Sequence, residues 1–380
     1  MAVDRLLPTP EAAELIGLTR DVADKVLAPI VDAHEKAETY PEGVFAQLGA
    51  AGLLSLPQPE QWGGGGQPHE VYLQALEEIA ARWAAVAVAV SVHSLSCHPL
   101  LAFGTEDQKS RWLPAMCSGE QVGAYSLSEP QAGSDASALR CAATSTDSGY
   151  VINGSKSWIT HGGRADFYVL FARINDRISS FLVPSDLPGL SFGKPEEKMG
   201  LAAVPTTSAF YDHAPIDADR LIGQEGQGLQ IAFSALDAGR LGIAAVATGL
   251  AQAALDEATA YANERTTFGR KIIDHQGLGF LLADMAAAVA SARATYLDAA
   301  RRRDAQRPYS TLASIAKLTA TDAAMKVTTD AVQVFGGAGY TRDYRVERFM
   351  REAKVMQIFE GTNQIQRLVI ARSLSTTTTK

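Results

Sequence analysis

The order of three stretches with different periodicity constrains the fold of this 380-residue chain more than any other feature of its sequence. The first third is helical in pattern, because Thr9 before Pro10 is a helix-start signal and apolar residues then recur at helical spacing. From about residue 121 the pattern changes to short β-rich runs, such as residues 149–152 and 167–171, which turn signals separate. The chain therefore changes from helical to β structure at about one third of its length.

Long alanine-rich stretches follow the β-rich part. They predict helices at roughly 229–264, 275–305 and 309–335, the last of which stops at Gly336-Gly337. Strands and helices do not alternate, and the glycines of residues 223–228 do not match GxGxxG, so a nicotinamide-binding Rossmann unit is disfavoured. We therefore predict an α+β protein with three domains: residues 1–120 helical, 121–228 β, and 229–380 helical.

Charge and cysteine content argue against several functions. The formal net charge is -8, whereas nucleic-acid binding usually needs a basic stripe. The run of three arginines at 301–303 is predicted to be a solvated helix face. The three cysteines, Cys97, Cys117 and Cys141, show no CxxC spacing, which fits a reduced compartment and no zinc site.

No targeting or membrane segment is predicted. Residues 84–92 are apolar but too short to cross a bilayer. The first 15 residues have neither a charged leader with an apolar core nor a transit-peptide composition. We expect a cytoplasmic protein without a membrane partner.

Two segments of the β-rich part suit a planar ligand. In residues 125–135, small hydroxyl residues flank a proline turn and a glycine, which lets backbone N–H groups and hydroxyls approach a polar ring closely. In residues 154–160, Trp158 could set an aromatic face against a ring system while Thr160 bonds its edge. Taken alone, residues 125–135 could instead be an ordinary surface loop. Residues 154–160 could instead place a buried core tryptophan next to a strand threonine.

Three segments of the last third complete the set. Residues 264–270, with His275 and Gln276, place an arginine after a long helix, where it either complements the helix dipole or pairs with a diphosphate. The glycines of residues 333–340 end a helix and would also admit a nucleotide close to the backbone. Residues 358–366 place Glu360 beside Gly361.

These five segments, in this order and spacing, resemble the acyl-CoA dehydrogenase family, and its short-chain branch in particular. The resemblance runs from Gly104 to the C-terminus. It implies an N-terminal helical domain, a middle β-barrel-like domain and a C-terminal four-helix bundle, assembled as a homotetramer that binds FAD. It also implies α,β-desaturation of an acyl-CoA, with electrons passed to an electron-transferring flavoprotein.

The resemblance assigns roles residue by residue. Positions matched to FAD contacts are Tyr125, Leu127, Ser128, Ser134, Trp158, Ile159, Thr160, Arg265, Thr267, Phe268, Gln276, Gln333, Gly336, Gly337, Thr362 and Gln364. Some of these reach the cofactor across a subunit boundary. Positions matched to the acyl-CoA are Ser134, Asp237, Arg240 and Gly361.

The catalytic base is predicted to be Glu360. A proton α to a thioester carbonyl is weakly acidic, so a carboxylate must lie against it, and burial would raise the pKa of that carboxylate toward working pH. Some branches of the family carry the glutamate on a helix immediately before the position of Arg240, but here that residue is Gly239. Glu360 is therefore the family-consistent candidate.

Several residues receive a structural interpretation instead. His161 departs from the asparagine of many relatives and is interpreted as a surface residue rather than one that tunes the flavin. Glu77-Glu78 is expected on a solvated helix face, and His93 and His98 are expected in the core.

Other activities remain open at this point. A medium-chain acyl-CoA dehydrogenase and an oxidase of the same fold that uses dioxygen are the alternatives, although peroxisomal-type oxidases are much longer. A relative that oxidises nitroalkanes uses an aspartate, which the glutamate at 360 argues against. A silent assembly subunit would have lost the base or the flavin contacts, and this chain retains both.

Overall fold

The structure, a computed structural model, describes residues 3–376. The N-terminal helices are α1 Pro10–Val22, α2 Val31–Ala37, α3 Val44–Ala50, α4 His69–Arg82, α5 Ala84–Phe103 and α6 Glu106–Cys117. The strands that follow are β1 Gly123–Ser126, β2 Ala142–Ser145, β3 Gly149–Thr160, β4 Phe167–Ile174, β5 Arg177–Pro184, β6 Leu190–Phe192, β7 Thr206–Asp217 and β8 Leu221–Ile222. The last part contains α7 Gly228–Glu264, the hairpin β9 Thr266–Thr267 and β10 Arg270–Lys271, α8 Gln276–Asp304, α9 Ser310–Phe335, α10 Val346–Met356 and α11 Asn363–Thr376. The predicted helix–β–helix order is confirmed.

Helix starts follow the expected signals. The Thr9 side chain accepts a hydrogen bond from the Ala12 N–H and caps α1, with Pro10 in the first turn. Thr105 and Gln108 form a reciprocal capping box at the start of α6. The α9 helix ends at Phe335, immediately before the two glycines.

One sheet forms the middle of the molecule. Its strands run in the order β6-β7-β3-β2-β4-β5-β8, and β1 pairs in parallel with β4. The register of β3 against β7 shifts between Lys156 and Ile159. Within this irregularity Trp158 has a φ of 64°, so its side chain turns outward and is 63% exposed, while Ile159 is buried.

The two helical parts share one core. Helix α7 packs against α4 and α5 as well as against α8 and α9. Small residues permit this close approach, since a Cβ on Gly249 of α7 would lie 2.3 Å from the Glu77 backbone oxygen in α4. Any site on α7 is therefore bordered by the N-terminal helices α4 and α5.

Three helices are long and apolar enough to cross a membrane by length and composition alone: α5, α7 and α8. Residues 84–92 were expected to be too short, but the helix continues for 20 residues to Phe103. Of the most apolar windows of α5 and α7, 72% is buried inside the protein, compared with 22% for α8. The first two are thus core helices, and the apolar surface of α8 is left largely uncovered by this chain.

The prediction of a solvated face for Glu77-Glu78 is wrong. Both residues are buried. Glu77 accepts hydrogen bonds from Arg5, Arg293 and Tyr296, which carry the extended N-terminal segment and α8 onto α4. The helical period placed these glutamates correctly on α4, but their partners are far away in sequence.

The three arginines at 301–303 do not behave alike. Arg301 and Arg302 are exposed and pair with Glu70 and Asp298. Arg303 turns inward, contrary to the predicted solvated face, and its Nη1 atom is buried. The low-complexity composition of residues 376–380 predicts a frayed tail, and the part after Thr376 lies outside the described residues.

Candidate active site

Glu360 lies in a short loop between α10 and α11 with an unusual backbone. Glu360 and Gly361 have φ values of 53° and 85°, two consecutive left-handed residues. The Gln366 side-chain amide donates to the carbonyl oxygens of both residues, at 3.2 and 2.8 Å. The Lys317 Nζ atom of α9 donates to the Gly361 carbonyl at 2.9 Å. These contacts fix a left-handed backbone that a glutamate seldom adopts.

The Glu360 carboxylate is enclosed and incompletely bonded. Its Oε2 atom is buried and has no hydrogen-bond partner among the described residues. Burial raises the pKa of Glu360 to about 7, and the positive charges of Arg240 and Lys317 limit the rise. A carboxylate with this pKa is close to half ionised at neutral pH, as a general base requires.

Gly239 makes room for this carboxylate. A Cβ at position 239 would lie 2.8 Å from Glu360 Oε2 and 3.2 Å from Leu95 Cδ1. The loop glutamate and the helix position before Arg240 therefore meet at one point in space. A side chain at 239 and the present position of the Glu360 carboxylate exclude each other.

Asp237 and Arg240, the predicted substrate contacts on α7, lie beside Gly239. The Arg240 Nη1 atom donates to Asp237 Oδ1 at 2.5 Å. The Arg240 Nε atom is buried and has no hydrogen-bond partner within residues 3–376. The structure thus brings these two residues and Gly361 to the side of the molecule that Glu360 occupies.

The first two predicted flavin segments form one surface next to Glu360. The Ser157 N–H donates to the Ser128 carbonyl at 2.8 Å, and Lys156 Nζ donates to the Leu127 carbonyl at 3.0 Å. The Tyr125 hydroxyl reaches the Ala232 carbonyl of α7. Burial and the charge of Glu360 both raise the pKa of Tyr125 well above its ordinary value.

This surface fits a flavin ring. Trp158 presents a largely exposed aromatic face, which the β3 irregularity turns away from the sheet. Ser128 and Thr160 flank it and are half-buried, whereas Leu127 and Ile159 are buried beneath. An exposed indole at the irregular end of an interior strand is suited to stack beside a planar ring.

Comparison with known proteins identifies the family. Models of the acyl-CoA dehydrogenase N-terminal, middle and C-terminal domains match residues 9–120, 124–214 and 226–375. An acyl-CoA dehydrogenase of Bacillus subtilis (strain 168) is 44% identical over 372 residues, 96% of this chain and 98% of the relative. This chain belongs to the acyl-CoA dehydrogenase family. The predictions of the family, of its fold and of an FAD-dependent acyl-CoA dehydrogenase are confirmed.

Two solved structures match over almost their whole length. The butyryl-CoA dehydrogenase of Megasphaera elsdenii superimposes with a TM-score of 0.95 at 38% identity, covering 98% of this chain and 100% of that one. A chain in a structure described as the electron transferring flavoprotein of Acidaminococcus fermentans has a TM-score of 0.95 at 40% identity, with coverages of 98% and 99%.

The remaining matched positions divide into two groups. Ser134 is exposed in the loop after β1, and Thr362 and Gln364 lie at the start of α11, where Thr362 Oγ1 accepts the Ile365 N–H. Ser134 therefore lies on the segment that carries Tyr125 and Ser128, and Thr362 and Gln364 lie on the segment that carries Glu360.

The second group lies at the other end of the molecule. Its members are Arg265, Thr267, Phe268, Gln276, Gln333, Gly336 and Gly337. In α7, 25 residues separate Gly239 from Glu264, which is roughly 38 Å of straight helix. Tyr261 near the end of α7 stacks on Phe335 at the end of α9, with ring centroids 4.1 Å apart. Within one chain, this group therefore lies at the far end of α7 from Gly239 and Glu360.

The expectation that His161 is a surface residue is wrong. His161 is fully buried and its ring packs edge-on against Phe45 at 4.7 Å. Burial lowers its pKa to about 3, so it is neutral at ordinary pH. Because both ring nitrogens lack partners among the described residues, His161 acts as a packed aromatic side chain. The core interpretation of His93 holds, since it is fully buried and its Nδ1 atom accepts the Gly123 N–H.

Sequence reasoning missed the residues that hold the base. Lys317 is fully buried in α9 on the face that carries Ala313, Ala316 and Ala320. A lysine within such a small apolar stripe was a detectable signal, since an unpaired buried lysine is costly. Gln366 lies within the segment 358–366, but no residue near it in the sequence indicates that its side-chain amide bonds the Glu360 and Gly361 carbonyls.

Proposed function

We propose that this protein oxidises a short-chain acyl-CoA to the trans-2-enoyl-CoA, with Glu360 as the catalytic base. The observation that carries the proposal is the Glu360 carboxylate, whose Oε2 atom is buried, unpartnered and directed at Gly239. The name of the Megasphaera elsdenii relative, a butyryl-CoA dehydrogenase, supports a short chain.

The flavin would lie against Ser128, Trp158 and Thr160, the surface next to Tyr125. When bound, it supplies an acceptor for the hydride that leaves the β-carbon of the acyl chain. The protein must then place the acyl chain between this surface and Glu360. That arrangement puts the base and the acceptor on opposite sides of the bond that becomes unsaturated.

The protein's own part of the reaction is proton removal. Glu360 Oε2 takes a proton from the α-carbon, and its pKa of about 7 allows this at neutral pH. The backbone N–H of Glu360 donates to no group among the described residues. It is therefore available to hydrogen-bond the thioester oxygen as negative charge develops there.

We further propose a homotetramer that passes electrons to an electron-transferring flavoprotein. The second group of matched residues lies at the far end of α7 from Gly239 and Glu360, so it would complete the site of a neighbouring copy. The weakly covered α8 and the exposed Phe268, Phe280 and Tyr340 support such contacts. The description of the Acidaminococcus fermentans structure supports the electron acceptor.

Anaerobic titration of the purified flavoprotein tests the activity. Butyryl-CoA is expected to bleach the oxidised flavin and yield crotonyl-CoA in stoichiometric amount. Isobutyryl-CoA and octanoyl-CoA define the range of chains. Flavin that stays oxidised with every acyl-CoA would refute the proposed activity, and hydrogen peroxide formation equal to dye-linked turnover would indicate an oxidase.

A further inference from the structure

Gln357 and Asn363 close the neck of the loop that carries Glu360. Gln357 follows directly after α10, and Asn363 is the first residue of α11. The Asn363 N–H donates to the Gln357 carbonyl at 3.0 Å, so the chain leaves one helix and enters the next at adjacent points. The left-handed residues Glu360 and Gly361 lie midway between these two points. The position of the base therefore depends on what holds the neck of the loop.

Asp322 of α9 holds both sides of this neck. Its Oδ1 atom accepts hydrogen bonds from the side-chain amides of Gln357 and Asn363, each at 2.7 Å. Lys354 of α10 orients the first of these amides, because its Nζ atom donates to Gln357 Oε1 at 3.0 Å. The Oδ2 atom of Asp322 accepts from the exposed Arg367, a pair that contributes little at the surface. One carboxylate on α9 thus joins the end of α10 to the beginning of α11.

Asn363 connects Asp322 to Lys317. Its side chain is buried, and its two neighbours fix which end of the amide faces each of them. Lys317 Nζ can only donate and binds Asn363 Oδ1 at 2.9 Å, whereas the ionised Asp322 can only accept and binds Nδ2. Lys317 Nζ also donates to the Gly361 carbonyl at 2.9 Å. The neck of the loop and the residue after the base are therefore joined by one chain of hydrogen bonds that begins at Asp322.

Asp322 also acts on the charge of Lys317. Burial lowers the pKa of Lys317 to about 7, the negative charges of Glu360 and Asp322 oppose this fall, and Arg240 of α7 adds to it. Loss of the Asp322 charge would therefore leave Lys317 less ionised at neutral pH. The charges of Arg240 and Lys317 in turn lower the pKa of Glu360 against the effect of burial. Asp322 thus bears on the base through hydrogen bonds and through charge.

We propose that Asp322 is a positioning residue for the catalytic base: it holds the neck of the Glu360 loop and keeps Lys317 charged beside it. The carboxylate of Glu360 then stands where it can take the α-proton, although Asp322 itself acts only through the loop. This proposal rests on the proposed dehydrogenase function, since it concerns the base of that reaction. A misplacement of about 1 Å can cost on the order of 100-fold in rate, so a loosened neck should slow the chemical step more than it weakens substrate binding.

Two variants of Asp322 separate the hydrogen bonds from the charge. The full-length flavoprotein is mixed anaerobically with butyryl-CoA across a range of pH, and flavin reduction, KM and the ratio of FAD to protein are measured. Asp322→Ala removes the acceptor of both neck amides and is expected to slow flavin reduction roughly 30-fold even at alkaline pH, while KM changes by about threefold at most. Asp322→Asn keeps an acceptor oxygen and should restore the alkaline rate to within about threefold of wild type. In both variants the acid limb of kcat/KM should move to higher pH.

Asp330→Ala is the matched control, because Asp330 lies on the same helix and pairs with the exposed Lys326. It is expected to change neither the rate nor the acid limb. An alanine variant of Asp322 as fast as wild type, an asparagine variant no faster than the alanine variant, or an acid limb that stays in place in both would overturn the proposal. If the alanine variant loses its flavin or fails to fold, the rate and acid limb of Asp322→Asn decide alone. Wild-type flavin that no acyl-CoA reduces would instead refute the proposed function.

Discussion

Glu77 and Glu360 are both enclosed carboxylates that face α7 from opposite ends of the chain, yet the structure treats them in opposite ways. Around Glu77, burial alone would raise the pKa, but the charges of Arg5 and Arg293 and their hydrogen bonds more than offset it, so the pKa is lowered. Around Glu360, two cations stand nearby but neither bonds the carboxylate, and the pKa rises to about 7. Direct pairing, rather than burial, separates a structural carboxylate from a reactive one.

The two carboxylates have opposite effects on the dependence of stability on pH. The pKa of Glu77 in the folded protein lies below its ordinary value of 4.5. Its contribution to stability is present above that value and is lost as the pH falls. The pKa of Glu360 in the folded protein lies above its ordinary value of 4.5, so its contribution to stability is lost as the pH rises from about 4.5 to about 7. The active site is therefore maintained at a cost that the Glu77 network helps to offset.

Glu360→Gln is expected to give the largest effect on activity. The amide keeps the size of the side chain but cannot accept the α-proton, so the rate of flavin reduction should fall by on the order of 10⁴-fold. FAD content and acyl-CoA binding should be unchanged, because the buried Oε2 atom bonds no other residue in the described part of the chain. Stopped-flow bleaching measures the rate, and reduction near the wild-type rate would exclude Glu360 as the base.

Glu77→Gln tests the other side of the comparison. It leaves Arg293 without a buried counter-charge and Arg5 with Glu78 alone, which is expected to reduce the free energy of unfolding by about 3–5 kcal/mol. Activity per bound flavin should be retained. Chemical denaturation measures the loss. Glu70→Gln, on the same helix, removes a pair whose arginine is half exposed and should cost no more than about 1 kcal/mol.

Gly239→Ala should have an intermediate effect on activity. The added Cβ would lie 2.8 Å from Glu360 Oε2, so the carboxylate must move. A displacement of this kind is expected to reduce kcat/KM by roughly 10–100-fold, with little change in unfolding temperature. Gly17→Ala in α1 is the matched control, since its Cβ would meet nothing within 4 Å. An unchanged kcat/KM in Gly239→Ala would mean that the base does not occupy this position during turnover.

The local part of this picture could be predicted from the sequence. Helical periodicity located the long helices to within a residue or two, because each helix buries a continuous apolar face. Helix ends follow from local features: Thr9 and Thr105 accept capping hydrogen bonds, and the glycines after Phe335 end α9. Motif order identified the family and predicted Glu360.

The long-range part could not be predicted. Glu77 meets Arg5 and Arg293 only after three distant segments pack together, and the sequence around each shows an ordinary charged residue. His161 follows a strand in a pattern typical of a surface turn, yet α3 covers it with Phe45. The inward turn of Arg303 has the same cause, since its neighbours on α8 have identical chemistry and differ only in helical angle. Burial of a charged or polar side chain depends on partners that periodicity does not specify.

Lys317→Met is expected to give the smallest of these effects and to sharpen the comparison most. Lys317 lowers the pKa of Glu360 through its charge and holds the Gly361 carbonyl at 2.9 Å. Wild-type kcat/KM should fall below about pH 7, where Glu360 becomes protonated. Burial lowers the pKa of Lys317 to about 7, so it is charged only in part at neutral pH. Without that charge the pKa of Glu360 rises further, so this acid limb should move to higher pH and activity at neutral pH should drop roughly threefold.

A loss that was purely structural would lower kcat/KM equally at every pH, and that result would contradict an electrostatic role for Lys317. Lys326→Met supplies the control, because Lys326 lies on the same helix, is exposed and pairs with Asp330. If Lys317→Met moves the acid limb and Lys326→Met does not, the pKa of the base is set by a cation that never bonds it. At Glu77 the cations bond the carboxylate directly, and the same charges then produce a structural anchor instead of a base.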